Sequence, residues 1–145
     1  MHPSIVRSRL VAFALAAFLS TASSAYAEML KFKANIDAAQ EVPPNDSKGK
    51  GMADLTYDTA SKNLTWTITF DGLTGPAAVA HFHGPAEPGK NAGVALLIGQ
   101  NPTSPAKGSA TLTEAQAADL IAGRWYVNVH TAANKGGEIR GQITK

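Results

Sequence analysis

In the run Leu64-Thr65-Trp66-Thr67-Ile68-Thr69-Phe70 a large apolar side chain occupies every second position and a threonine fills each position between. A helix repeats every 3.6 residues and would scatter those apolar groups around its circumference, whereas a strand repeats every two and sorts them onto one face. Aromatic, β-branched and threonine side chains also suit an extended, half-buried backbone. The segment is predicted to be a central strand with one face in a core. The same alternation recurs where Leu30, Phe32, Ala34 and Ile36 alternate with Lys31, Lys33 and Asn35, and where Ala53, Leu55 and Tyr57 alternate with Asp54 and Thr56.

Glycine- and proline-rich stretches separate these runs at 42–46, 71–76, 84–93 and 99–108. Short strands at that spacing predict an all-β fold, a Greek-key β-sandwich or barrel. One short helix should interrupt it, starting at a Thr113/Gln116 capping box and stopping at Gly123, with Ala117, Leu120 and Ile121 as an apolar stripe covering one end or edge of the sandwich. The chain then runs through Arg124 to His130, turns over 132–137 and returns through Glu138 to Thr144, which reads as a C-terminal hairpin. Pairing Val129 with Ile139 puts Val127, Val129, Ile139 and Ile143 on the core side. That register sets His130 opposite Glu138 and Asn128 opposite Arg140 on an outer, polar face.

Residues 1–27 have the pattern of a secretory signal peptide: Arg7 and Arg9, an apolar run from Leu10 to Leu19, and Ala25-Tyr26-Ala27 as a small-x-small cleavage site. The domain is therefore expected over 28–145, in a protein that is secreted, periplasmic or extracellular. No later apolar run approaches the roughly 20 residues of a membrane span, so no membrane anchor is expected. The chain has 13 Lys+Arg against 11 Asp+Glu, and losing Arg7 and Arg9 balances the two. A neutral, mixed-charge surface offers no footprint for nucleic acid. The absence of cysteine excludes disulfides and thiolate ligands, so a metal site would rest on nitrogen and oxygen.

Three histidines lie beyond the leader. In Ala80-His81-Phe82-His83-Gly84 the alternation projects His81 and His83 from one face and Phe82 from the other, and His130 ends a second strand. Two imidazoles on one face with a third from a neighbouring strand would form an open, mononuclear, all-nitrogen site. Copper is the first expectation for it and zinc the alternative. The competing role is structural, with the histidines hydrogen-bonding the 84–93 loop and fastening it over the strand ends. Asn128, Glu138 and Arg140 are the expected neighbours of His130. Of these, Asn128 suits tying a loop better than binding metal, and Glu138 and Arg140 could instead form an exposed cross-strand ion pair worth at most about 1 kcal/mol. Trp66 and Trp125 are expected in the core, as are Met29 and Met52 rather than as thioether ligands. No catalytic residue is assigned: no serine has the setting of a nucleophile, and Pro85 and Pro88 remove donors from the glycine-containing 84–93 loop.

Between Phe32 and Thr144 the segments Ala39-Gln40-Glu41-Val42-Pro43-Pro44, Ala80-His81-Phe82-His83-Gly84-Pro85-Ala86, Tyr126-Val127-Asn128-Val129-His130-Thr131 and Gly137-Glu138-Ile139-Arg140-Gly141-Gln142 resemble the chordin-type, or CHRD, domain of bacterial secreted proteins and animal chordin. The resemblance implies the fold and little chemistry. Gly72-Leu73-Thr74-Gly75-Pro76 followed by His81 and His83 is also similar to the copper-site segment of copper/zinc superoxide dismutases, Greek-key barrels that hold metal on their outer face. This second resemblance implies copper ligation by His81 and His83, with His130 as a third ligand and Arg140 attracting anions. The additional histidines of a zinc-bridged site and the cysteines of that enzyme are missing here. Three functions follow in order: a metal-binding domain, a non-enzymatic adhesion or interaction module for another periplasmic or cell-surface protein, and a copper-only dismutase-like enzyme.

Overall fold

A computed structural model describes residues 26–145, and all but the last two residues of the expected leader lie outside the described residues. Eight antiparallel strands form one sheet: β1 (Met29–Asp37), β2 (Lys50–Asp58), β3 (Asn63–Asp71), β4 (Ala77–His83), β5 (Val94–Gln100), β6 (Ala106–Thr111), β7 (Tyr126–Thr131) and β8 (Ile139–Gln142). A helix, α1 (Glu114–Ile121), precedes β7. The strands are ordered β5-β4-β7-β8-β1-β2-β3-β6, and the two end strands approach each other, so the sheet nearly closes into a barrel. The chain leaves β3, forms the β4–β5 hairpin and returns so that β6 lies beside β3, a Greek-key-type crossing. No helix among the described residues is long and apolar enough to cross a membrane.

The alternating runs become β1, β2 and β3, a meander in which Phe32 pairs with Leu55 and Leu55 with Trp66. Their apolar faces meet those of β4, β7 and β8 in a core that includes Ile36, Leu64, Ile68, Phe82, Val127, Val129 and Ile139. Phe82 anchors it, edge-on to Trp66 at 5.3 Å between ring centroids and stacked on Trp125 at 5.8 Å. The C-terminal hairpin has the predicted register, with Val129 against Ile139 and Asn128 against Arg140. The capping box forms reciprocally, and Gly123 follows the helix with φ +73°.

Met29 and Met52 are exposed rather than in the core, because alternation puts them on the polar sides of their strands with Lys31 and Asp54. The structure departs from three further expectations. Ile121 is exposed, so the helix buries only Ala117 and Leu120, which sit three residues apart on one side. The 99–108 stretch is less of a turn than predicted, because β5 extends to Gln100 and β6 begins at Ala106. Neither strand shows an alternation of large apolar residues. Strand β5 joins β4 through two register shifts, and β6 is built from small residues, among them Gly108, where a Cβ would collide with the Trp66 indole. Third, the outer face of β7 and β8 is not solvated: every residue of β7 is buried, and Glu138 and Arg140 are 0% and 2% exposed. Loops fold across that face, and Glu138 and Arg140 form no ion pair because each is engaged by different groups.

Truncating Phe82 to alanine should remove about 3–5 kcal/mol of unfolding free energy, since it leaves a cavity between two indoles. Urea unfolding followed by tryptophan fluorescence measures it.

Candidate metal centre

Strands β4 and β7 are hydrogen-bonded neighbours, with His81 opposite Asn128, His83 opposite Tyr126 and Val79 opposite His130. Directly opposed residues of an antiparallel pair share a face, so all three imidazoles project from the outer face of the barrel. Ring centroids are 5.5 Å apart for His81 and His83, 5.3 Å for His81 and His130, and 6.0 Å for His83 and His130. One ring nitrogen from each residue lies within 4.8 Å of the other two. His81 Nδ1 is 3.4 Å from His130 Nε2. Two nitrogens bound to one tetrahedral metal at about 2.0–2.1 Å would be about 3.3 Å apart, so the cluster is near binding geometry.

Two backbone carbonyls orient the rings. His83 Nδ1 lies 3.0 Å from the Ala92 carbonyl oxygen and His130 Nδ1 lies 3.0 Å from that of Lys135. A carbonyl only accepts, so each Nδ1 carries the proton and each Nε2 is left unprotonated, that of His130 facing His81 Nδ1. Such contacts are the usual way a protein aims a metal-binding histidine. The Nε2 of His83 is buried and has no hydrogen-bond partner, a cost in an apo protein that a metal would relieve. Burial holds all three imidazoles below the ordinary value of 6.5, with neighbouring imidazoles adding to the effect at His81 and His83. They are therefore neutral at pH 7, the form that binds metal.

Asn128 pairs with Arg140 as the register predicts, but Glu138 lies just before β8 and is not paired with His130, its amide donating to the Val129 carbonyl instead, and none of the three hydrogen-bonds His130. Asn128 ties a loop, donating to Glu41 Oε1 and to the Ile139 carbonyl at 2.9 Å. Burial raises the Glu41 carboxyl, while Asn128 and the Arg140 charge partly offset the rise. Arg140 donates to Asn91 Oδ1 at 2.8 Å and to the Lys90 carbonyl at 2.6 Å, and its guanidinium lies 3.5 Å from the centroid of the Tyr126 ring. Tyr126 in turn stacks on His83 at 4.9 Å and 3° between planes. Glu138 accepts from Ser47 Oγ, from the Thr74 amide and hydroxyl, from Thr131 Oγ1 and from Asn134 Nδ2. Burial pushes its carboxyl up, but those bonds outweigh it and bring it down to about 2.

Sequence reasoning passed over Tyr126 and Glu41. Tyr126 was detectable, since it shares its face with Asn128 and His130 by simple alternation. A histidine bond to the 84–93 loop was expected, and His83 makes it to the Ala92 carbonyl; the Lys135 carbonyl had no signal, because any residue supplies a carbonyl.

A family model for the CHRD domain matches residues 32–143. The chain belongs to the CHRD domain family. No curated protein and no solved structure matches it. The matched span of the CHRD domain contains the three histidines, both orienting carbonyls and all the residues around Glu138.

Stability should therefore depend on pH in two stages. As pH falls below 6.5 the unfolded chain protonates its histidines before the folded domain does, and stability declines. Glu138 contributes fully above 4.5, and its share, roughly 3 kcal/mol, is lost as pH falls towards 2. Glu41 opposes the histidine stage only: its raised pKa makes the folded state bind its proton first as pH falls towards 4.5, and below 4.5 its contribution no longer changes. Glu138→Gln should cost on the order of 3 kcal/mol at pH 7 and flatten the decline below 4.5, as read from urea midpoints across the pH range.

Proposed function

We propose that this CHRD domain is secreted to the periplasm or cell exterior, with residues 28–145 as the mature unit, and binds one transition-metal ion through His81, His83 and His130. Copper is the first choice and zinc the alternative, because imidazole accepts both. The observation that carries the reading is the buried, unpartnered Nε2 of His83, beside two further imidazoles and held in place by its own Nδ1 bond. Three neutral nitrogens leave a coordination position open, which suits carriage or exchange of the ion as well as binding. The proposed role is binding of the ion, with no catalytic residue assigned. The Nδ1 bonds to Ala92 and Lys135 favour a second reading, an interaction module in which the histidines only fasten loops.

Copper titration of protein purified without an affinity tag separates these readings. Wild type should take up one equivalent, and the His81→Ala/His83→Ala variant should lose that uptake. Equally weak binding by both would refute the metal site and leave the interaction module. Superoxide turnover by the copper-loaded protein no faster than background would exclude a dismutase-like activity.

Protons compete with the metal for the same nitrogens. Because burial depresses these imidazoles, copper affinity should hold down to about pH 6.5 and weaken only below it, as measured by competition with a chelator whose own pH dependence is known.

A further inference from the structure

The phenolic oxygen of Tyr126 makes two hydrogen bonds to one residue. It donates to the Ala92 carbonyl at 3.2 Å and accepts from the Ala92 amide at 3.1 Å. That carbonyl is also the acceptor for His83 Nδ1–H. The Tyr126 hydroxyl thus holds both backbone polar groups of Ala92, the residue whose carbonyl selects the His83 tautomer, while its ring lies flat against the His83 imidazole. Arg140, from β8 on the far side of β7, stacks on the same ring and ties down the preceding two residues of the loop through the Lys90 carbonyl and Asn91 Oδ1. Asn91 continues the chain of contacts by donating to the Val42 carbonyl at 3.0 Å.

We propose that Tyr126 is a positioning residue for the metal site: by holding the Ala92 carbonyl against His83 Nδ1 it keeps the His83 Nε2 lone pair free and aimed at His81 and His130. The inference rests on the metal-binding reading for its consequence but not for its structural half. The cause is in the tautomer chemistry. An imidazole released from the Ala92 carbonyl can carry its proton on either nitrogen, and the form protonated at Nε2 presents an N–H where the metal needs a lone pair. The ring stack limits tilting of the imidazole, and the hydroxyl limits drift of the carbonyl. Loss of the hydroxyl alone should therefore leave the ring in place and release the tautomer.

Tyr126→Phe tests this directly. Nitrogen-15 NMR of the histidine side chains in the metal-free protein should show His83 protonated solely at Nδ1 in wild type, and a mixture of tautomers in the variant. Copper affinity should fall about 10- to 100-fold in the variant, the usual loss when a partner that orients a ligand is removed. Asn91→Ala slackens the same loop from an exposed position and should shift both readouts in the same direction by less. If Tyr126→Phe does not fold, the Asn91→Ala result decides. A His83 tautomer that stays wholly at Nδ1 overturns the proposal, and so does an unchanged copper affinity in a wild type that binds copper. If wild type binds no copper, the metal reading fails while the NMR arm still judges the role of Tyr126.

Discussion

Glu138 keeps a carboxylate out of contact with water because five donors from three stretches of chain converge on its two oxygens: Ser47, the amide and hydroxyl of Thr74, Thr131 and Asn134. A buried charge is tolerated only when its hydrogen-bonding capacity is filled, and here the groups that fill it are the loops that must be held down. Asn45 adds a bond to the Glu138 carbonyl from the same side. The carboxylate thus fixes one end of the polar layer above β7 and β8. At the other end Arg140 does the same for residues 90 and 91, with Tyr126 beneath its guanidinium and no carboxylate hydrogen-bonded to it. The barrel therefore has an apolar core within the sheet and a polar one outside it.

The histidine cluster lies inside this outer layer and takes its character from it. In water, three imidazoles on adjacent strands would rotate and share protons near neutrality. Beneath the loops their protonation is disfavoured, and two are aimed by backbone carbonyls. The arrangement has a cost. The Nε2 of His83 is buried without a hydrogen-bond partner, which costs free energy. His81, the most accessible of the three, has no backbone anchor of its own and borders the exposed Leu97 of β5.

Much of this was legible before any coordinates. Leu64 to Phe70 is a central strand because threonine alternation leaves no other way to bury its apolar groups, and the hairpin register followed from matching Val129 with Ile139. The same register brought Asn128 and Arg140 together correctly. The pairing of β4 with β7, which gathers the histidines, had no local signature, since strand neighbours far apart in sequence are chosen by the whole sheet. Strands β5 and β6 were illegible for a different reason: bulges break the alternation in the first, and small residues packed under Trp66 mask the second.

Alternation by itself determined which side chains share a face, because the period of a strand is a property of the backbone. It placed His81 and His83 together, set Phe82 against the core, and excluded thiolate chemistry through the want of cysteine. The tertiary structure alone decided that the outer face would be covered, since that depends on where the 84–93 and 132–137 loops come to rest. Burial then made the imidazoles neutral, turned Glu138 and Arg140 away from each other, and supplied the carbonyls that orient the rings. Those effects arise from desolvation and from backbone atoms, and neither is written in the identity of a residue.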